Sequence, residues 1–362
     1  MNRRDFIYAA SVGAASATMP TATGAQGNRD TTSNAPQVGA KLRTITLEEH
    51  FASPGFIAGP GRDFIERLRN TGARGAKIFE QLQDVGDRRM AEMDAAGVDM
   101  QVLSFGSPGP QAFGADIAIR MARDANDRMH AAVKAHPTRF AAFAALPTAD
   151  PQAAVDELER CVTRLGFKGA MIHSHQQGEF LDAKKYWPIW QRAERLGVPI
   201  YLHPALPHPA MVNAYFDDYE ELERAPWGFA VDTSCHFLRL LFSGLFDAYP
   251  KVKIILGHLG EGLPFAMHRL NDHSWFAAKR RGLKKTPLEY LRDNMVVTTS
   301  GNWYEPAFVC TLLALGADNI LFAIDWPYEA NKTGMEFLRK LSISDADREK
   351  LAHGNAERLL GL

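Results

Sequence analysis

The chain has 362 residues, 46% of them hydrophobic, with 41 Lys and Arg against 42 Asp and Glu. This balance gives no basic field for nucleic acid and no acidic tail, so the expected partner is a small molecule. Cys161, Cys235 and Cys310 are odd in number and widely spaced. They form neither a disulfide framework nor a Cys-based metal site, and read as buried, inert thiols.

The first forty residues stand apart from the rest. Arg3-Arg4, then Asp5-Phe6 and a mild stretch of Ala, Ser and Gly, resemble a twin-arginine export signal. The apolar part is too short and too weak for a stable membrane span. Residues 1–25 are expected to be the signal, with cleavage near Ala25, and the polar segment 26–40 a linker. The mature domain, 41–362, would then work in the periplasm, having folded and taken up any metal before export.

From residue 40 onward, short β-branched runs alternate with helical stretches, the pattern of βα units and a parallel sheet. Eight strands are predicted: 43–48, 100–105, 140–146, 167–172, 198–203, 252–257, 295–299 and 319–324. Helical periodicity fills 88–97, 151–166, 184–197 and 304–316, and each of these stretches ends in glycine. Eight units indicate an α/β fold closed as a (β/α)8 TIM barrel. An open doubly wound sheet is the alternative, but no glycine-rich phosphate loop follows the first strand. Two long segments, 51–87 and 204–235, would lie over the C-terminal face. Phe51, Phe56, Tyr215, Phe216 and Trp227 within them would stack on a ring or fill a lid.

Chemistry in such barrels sits at the C-terminal strand ends. The first strand ends in Glu48-Glu49-His50, and strand alternation puts Glu48 and His50 on one face. The fifth ends in His203-Pro204, the sixth in Gly257-His258 with Gly260 and Gly262 beyond, and the eighth in Asp325-Trp326-Pro327. A carboxylate closing an apolar run is costly to bury unless it is paired or bound to metal. Each residue alone admits an ordinary structural role. Together they form a carboxylate and imidazole set suited to one divalent ion, Zn or Mn, with a position left open.

At these residues the chain resembles the amidohydrolase superfamily, in the decarboxylase branch around γ-resorcylate, 5-carboxyvanillate and aminocarboxymuconate-semialdehyde decarboxylases. The motifs TLEEHF (46–51), YLHP (201–204), GHLGEGLPF (257–265), TTSGNW (298–303) and LFAIDWPYE (321–329) carry the resemblance from residue 43 to the C-terminus. It implies four metal ligands, Glu48, His50, His203 and Asp325, with His258 as a catalytic histidine beside the metal. It also implies a substrate contact from Arg269 and a homodimer or homotetramer. One departure stands out: His173-Ser174-His175 ends the fourth strand, where decarboxylases of this branch carry Asn or Gly at the first position. By alternation His173 and His175 would share a face, where they would act as extra ligands, contact substrate or make ordinary hydrogen bonds. Lys168 begins that strand rather than ending it, which favours a site with one metal.

Two reactions fit this ligand set. The first is non-oxidative decarboxylation of an aromatic acid with an ortho hydroxyl, with Asp325 or His258 supplying the ring proton. The second is hydrolysis of an ester, lactone or amide by a metal-activated water. A metal-holding binding protein is a third, non-enzymatic reading, disfavoured by the room that glycines leave around His258.

Overall fold

The computed structural model describes residues 42–362, so the expected signal and linker lie outside the described residues. Nine short strands run in parallel: β1 (Ile45–Phe51), β2 (Met100–Phe105), β3 (Phe140–Ala142), β4 (Ala144–Ala145), β5 (Ala170–His173), β6 (Ile200–His203), β7 (Ile254–Leu256), β8 (Met295–Thr298) and β9 (Ile320–Leu321). The run 140–146, expected as one strand, is split at Phe143, whose N–H bonds back to Leu103 while Ala144 N–H bonds forward to Gly169. The two halves form one stave. Leu47 bridges in parallel to Ala323, joining β1 to the last strand. The result is the eight-staved TIM barrel expected from the sequence.

Side chains alternate along each stave. Ile255 faces inward with Leu47, Val102, Met171, Val296 and Leu321, while Ile254 and Leu256 face the outer helices. Burying each such aliphatic side chain contributes about 1.5–3 kcal/mol. The helices Asp87–Ala96 and Trp187–Leu196 both end on a left-handed glycine, Gly97 and Gly197, and the chain turns straight into β2 and β6. Only Cys161 is a buried thiol; Cys235 is exposed and Cys310 partly so, which corrects the expectation for two of the three. Among the described residues no helix is long and apolar enough to cross a membrane.

Candidate metal centre and active site

Ile45 and Leu47 of β1 point into the barrel, so strict alternation would put Glu49 inside as well. The structure does otherwise. Glu48 holds a φ of 64°, and the register against β2 shifts between Thr46 and Glu49. This bulge turns Glu48 and His50 toward the axis and sends Glu49 outward. His258 (φ 51°) and Asp325 (φ 76°) also adopt left-handed backbone. Such conformations in non-glycine residues cost about 1–3 kcal/mol each and persist where the surroundings hold them.

One ligand atom from each of Glu48, His50, His203 and Asp325 falls within 4.8 Å of the others. The Nε2 atoms of His50 and His203 lie 3.1 Å apart. His203 Nε2 is 3.1 Å from Glu48 Oε1, and His50 Nε2 is 3.2 Å from Asp325 Oδ1. The outer ring nitrogens are engaged elsewhere. His203 Nδ1–H donates to the Pro204 carbonyl at 2.7 Å, and His50 Nδ1 is 3.0 Å from Ser104 Oγ. A carbonyl can only accept, so the His203 proton sits on Nδ1 and the Nε2 lone pair faces the cluster. Glu48 Oε1 and Asp325 Oδ1 are buried with no hydrogen-bond partner. Two carboxylates and two imidazoles with their Nε2 atoms turned inward, with oxygens left unpaired, fit a divalent ion.

Glu48 is fixed from behind. Tyr201 Oη donates to its Oε2, and Thr298 Oγ1 adds a contact at 3.4 Å. A Cβ on Gly257 would come within 3.0 Å of both Glu48 oxygens, so only glycine leaves the carboxylate its place. Burial opposes the charge on Glu48, but His258, His203 and His50 together hold its pKa well below the usual carboxylate range.

Glu49 does structural work on the outer face. Its oxygens accept the N–H groups of Ile324 and Trp326, at 3.1 Å each, on either side of Asp325. Burial pushes the Glu49 carboxyl up, against the pull of Arg89. Arg89 is itself buried, stacks on Trp326 and donates to the His50 carbonyl at 2.9 Å.

His258 stands beside the cluster, with Nε2 3.7 Å from Glu48 Oε1 and 3.8 Å from Asp325 Oδ2. Its Nδ1 is 2.7 Å from Glu261 Oε1, and its backbone N–H donates to Ser300 Oγ at 3.0 Å. Burial disfavours the imidazolium, but Glu261 and Glu48 raise its pKa well above the ordinary value. A bound ion would oppose that rise with its own charge.

Other expected site residues are placed differently. β5 ends at His173, and Ser174 turns left-handed at φ 49°, so His173 and His175 do not share a face. His173 pairs in register with His203, its ring 4.8 Å away, and neither ring nitrogen has a hydrogen-bond partner. His175 instead accepts from Gly178 N–H at 2.8 Å and packs on Phe180 and His208. Arg269 is exposed on the helix Leu263–Arg280, and the chain's own fold does not bring it to the cluster. Lys168 reaches the Gly361 carbonyl, away from the metal-type residues.

A cavity of about 300 Å³ opens on the cluster, lined by His203, His258 and Asp325 and walled by Phe64, Phe229 and Tyr328. A second space of about 610 Å³ adjoins it, sharing His258 and Asp325 and reaching Trp227. Of the loop aromatics, Phe51, Phe56 and Phe216 are buried, Tyr215 is exposed, and Trp227 lines that outer space. Sequence reasoning missed Glu261, Tyr201, Arg74 and Arg224. Glu261 was visible three residues after His258 in GHLGEG; the two arginines, which also line the smaller cavity, carry no local signal.

A family model described as Amidohydrolase matches residues 50–362. The chain is 41% identical over 335 residues to γ-resorcylate decarboxylase of Polaromonas sp. strain JS666, covering 88% of this chain and 98% of that protein. It is similar to the crystal structure of 2,6-dihydroxybenzoate decarboxylase in complex with 2,6-dihydroxybenzoate (38% identity, TM-score 0.82), over 89% of this chain and 100% of that one. The dihydroxybenzoic acid decarboxylase structure from Polaromonas sp. JS666, with bound manganese and 2-nitroresorcinol, matches at 39% identity and TM-score 0.82, over 88% and 97% of the two chains.

Proposed function

Because this chain belongs to the amidohydrolase family, we propose that it is a metal-dependent decarboxylase of ortho-hydroxy aromatic carboxylic acids. The observation that carries this reading is the meeting of Glu48, His50, His203 and Asp325 within 4.8 Å at the C-terminal end of the barrel. These four hold one divalent ion. Manganese is favoured by the metal in the solved relative, and the donor set admits zinc equally. When bound, the ion supplies a Lewis acid for a carboxylate and its ortho phenolate oxygen.

The remaining work falls to the chain. Phe64, Phe229 and Tyr328 wall a space that receives one aromatic ring. Each turnover breaks the bond from ring carbon to carboxylate carbon, releases carbon dioxide and forms one C–H bond, so one proton is needed. His258, oriented by Glu261 and 3.8 Å from Asp325, supplies that proton to the ring through Asp325 or directly. His173, its ring nitrogens without partners beside His203, would meet the ion or the substrate from the β5 side.

Hydrolysis of an ester, lactone or amide would use the same ligands. The relatives named above are decarboxylases, which favours cleavage of the C–C bond. The test is to incubate Mn- or Zn-loaded protein with 2,6-dihydroxybenzoate and related acids and follow carbon dioxide. Release supports the reading; turnover of lactones or esters with no release from any acid overturns it.

Two further parts of the reading rest on other features. Arg3-Arg4 supports twin-arginine export to the periplasm, tested by cell fractionation. A dimer or tetramer is supported by exposed Phe265, Phe276 and Leu313 on two helices that pack side by side, and light scattering tests it. Arg269 would touch substrate only across such an interface.

A further inference from the structure

We infer that Tyr201 is a positioning residue that limits the metal ligand Glu48 to one donor oxygen, and so keeps room on the ion for a chelating substrate. The inference rests on the decarboxylase reading above. It assigns the demand for an ortho hydroxyl to a residue buried beneath the site.

Tyr201 lies on β6 two residues before His203, so the two side chains share a face. It is buried in the inner cluster with Leu47, Ile255 and Val296, its ring 6.1 Å from that of Phe143. Phenylalanine would pack in such surroundings as well. The hydroxyl is used only by Glu48 and by the hydroxyls at the end of β8.

Those hydroxyls form a chain whose direction is fixed. The His258 backbone N–H donates to Ser300 Oγ at 3.0 Å. Ser300 Oγ is 2.9 Å from Thr298 Oγ1, which is 2.9 Å from Tyr201 Oη. Tyr201 Oη in turn donates to Glu48 Oε2. An ionised carboxylate only accepts, and each hydroxyl has one proton. With the Tyr201 proton on Glu48, Thr298 must donate to Tyr201 and Ser300 to Thr298. Ser300, Thr298 and Tyr201 are all buried, so water does not compete for these protons.

Glu48 Oε2 is therefore taken. Oε1 has no hydrogen-bond partner and lies 3.1 Å from His203 Nε2, facing the cluster. His50, His203 and Asp325 likewise offer one atom each. An ion such as Mn²⁺ takes about six donors, so four from the chain leave room for a carboxylate oxygen and its ortho oxygen. A free Oε2 would let Glu48 bind through both oxygens and fill part of that room.

The test is calorimetric binding to full-length protein at saturating Mn²⁺. The ligands are 2-hydroxybenzoate, which can chelate through its ortho oxygen, and 3-hydroxybenzoate, which cannot. Wild type should prefer the first by about tenfold or more, and Tyr201→Phe should cut that preference to within about twofold. No preference in wild type, or an unchanged one in Tyr201→Phe, overturns the proposal. A fall in Mn affinity with the preference intact would make Tyr201 a structural support alone. If Tyr201→Phe does not fold, Thr298 decides. Thr298→Val should lower the preference by about threefold or more while Thr298→Ser keeps it, and equal preference in both overturns the proposal. Carbon dioxide release from 2,6-dihydroxybenzoate is followed in parallel. A preference lost in the variant, with no release from wild type, would keep the role of Tyr201 and refute decarboxylation. Release with the preference retained in the variant would refute the role of Tyr201 alone.

Discussion

Glu49 fixes the backbone on both sides of Asp325: its carboxylate oxygens accept the N–H groups of Ile324 and Trp326 at 3.1 Å each. Asp325 thus owes its left-handed conformation, and its aim at His50, to a residue that never faces the cavity. Groups that orient metal ligands typically change metal affinity 10- to 100-fold when replaced. Glu49→Gln keeps the shape but replaces one of the two accepting oxygens with an amide that can only donate. We expect it to weaken Mn binding by about tenfold or more and to lower the melting temperature. Metal titration of the purified variant checks this; wild-type affinity would show that Asp325 holds its place without Glu49.

Glu261 acts on the proton rather than on the metal. It holds His258 Nδ1 at 2.7 Å and is absent from the metal-type group. Positioned acid–base groups contribute about 10²–10⁴-fold to rate. Glu261→Gln should lower kcat by about tenfold or more while Mn affinity stays within twofold of wild type. A parallel loss of metal would instead place Glu261 in the support of Glu48.

His236 gives the fold an acid-sensitive point away from the metal centre. Burial, with smaller effects from His175 and Arg239, lowers its pKa to about 3. Its Nε2 accepts the Leu181 N–H at 3.0 Å, which requires the neutral ring. The folded pKa is depressed, so the stability tied to this group is complete above the ordinary histidine pKa. It is lost progressively as pH falls from about 6.5 toward 3. The slope cannot exceed about 1.4 kcal/mol per pH unit for one proton. His236→Gln keeps an acceptor without a titrating ring, so melting temperature measured against pH should fall less steeply on the acid side. An identical slope would assign the acid loss to other groups.

Much of this site was legible because ligand residues end apolar strands. His203, His258 and Asp325 each close such a run, and the barrel brings strand ends together whatever the loops do. What the sequence hid lay in backbone exceptions and in tertiary placement. The left-handed Glu48 sets which face of β1 looks inward, and nothing in ITLEEHF marks it. A similar turn at Ser174 separates His173 from His175 and defeats alternation there. The break at Phe143 arises because that residue bonds to β2 while the next bonds to β5. Arg74 and Arg224 reach one cavity only because two long loops fold over the same mouth.

Dependence on one metal ion at Glu48, His50, His203 and Asp325 is open to a single titration. Protein stripped by a chelator is given increasing Mn²⁺ while carbon dioxide release from 2,6-dihydroxybenzoate is followed. The stripped protein should release none, and the rate should rise to its maximum at one equivalent of metal per chain. Full activity before any metal is added, or none at any loading, would contradict it.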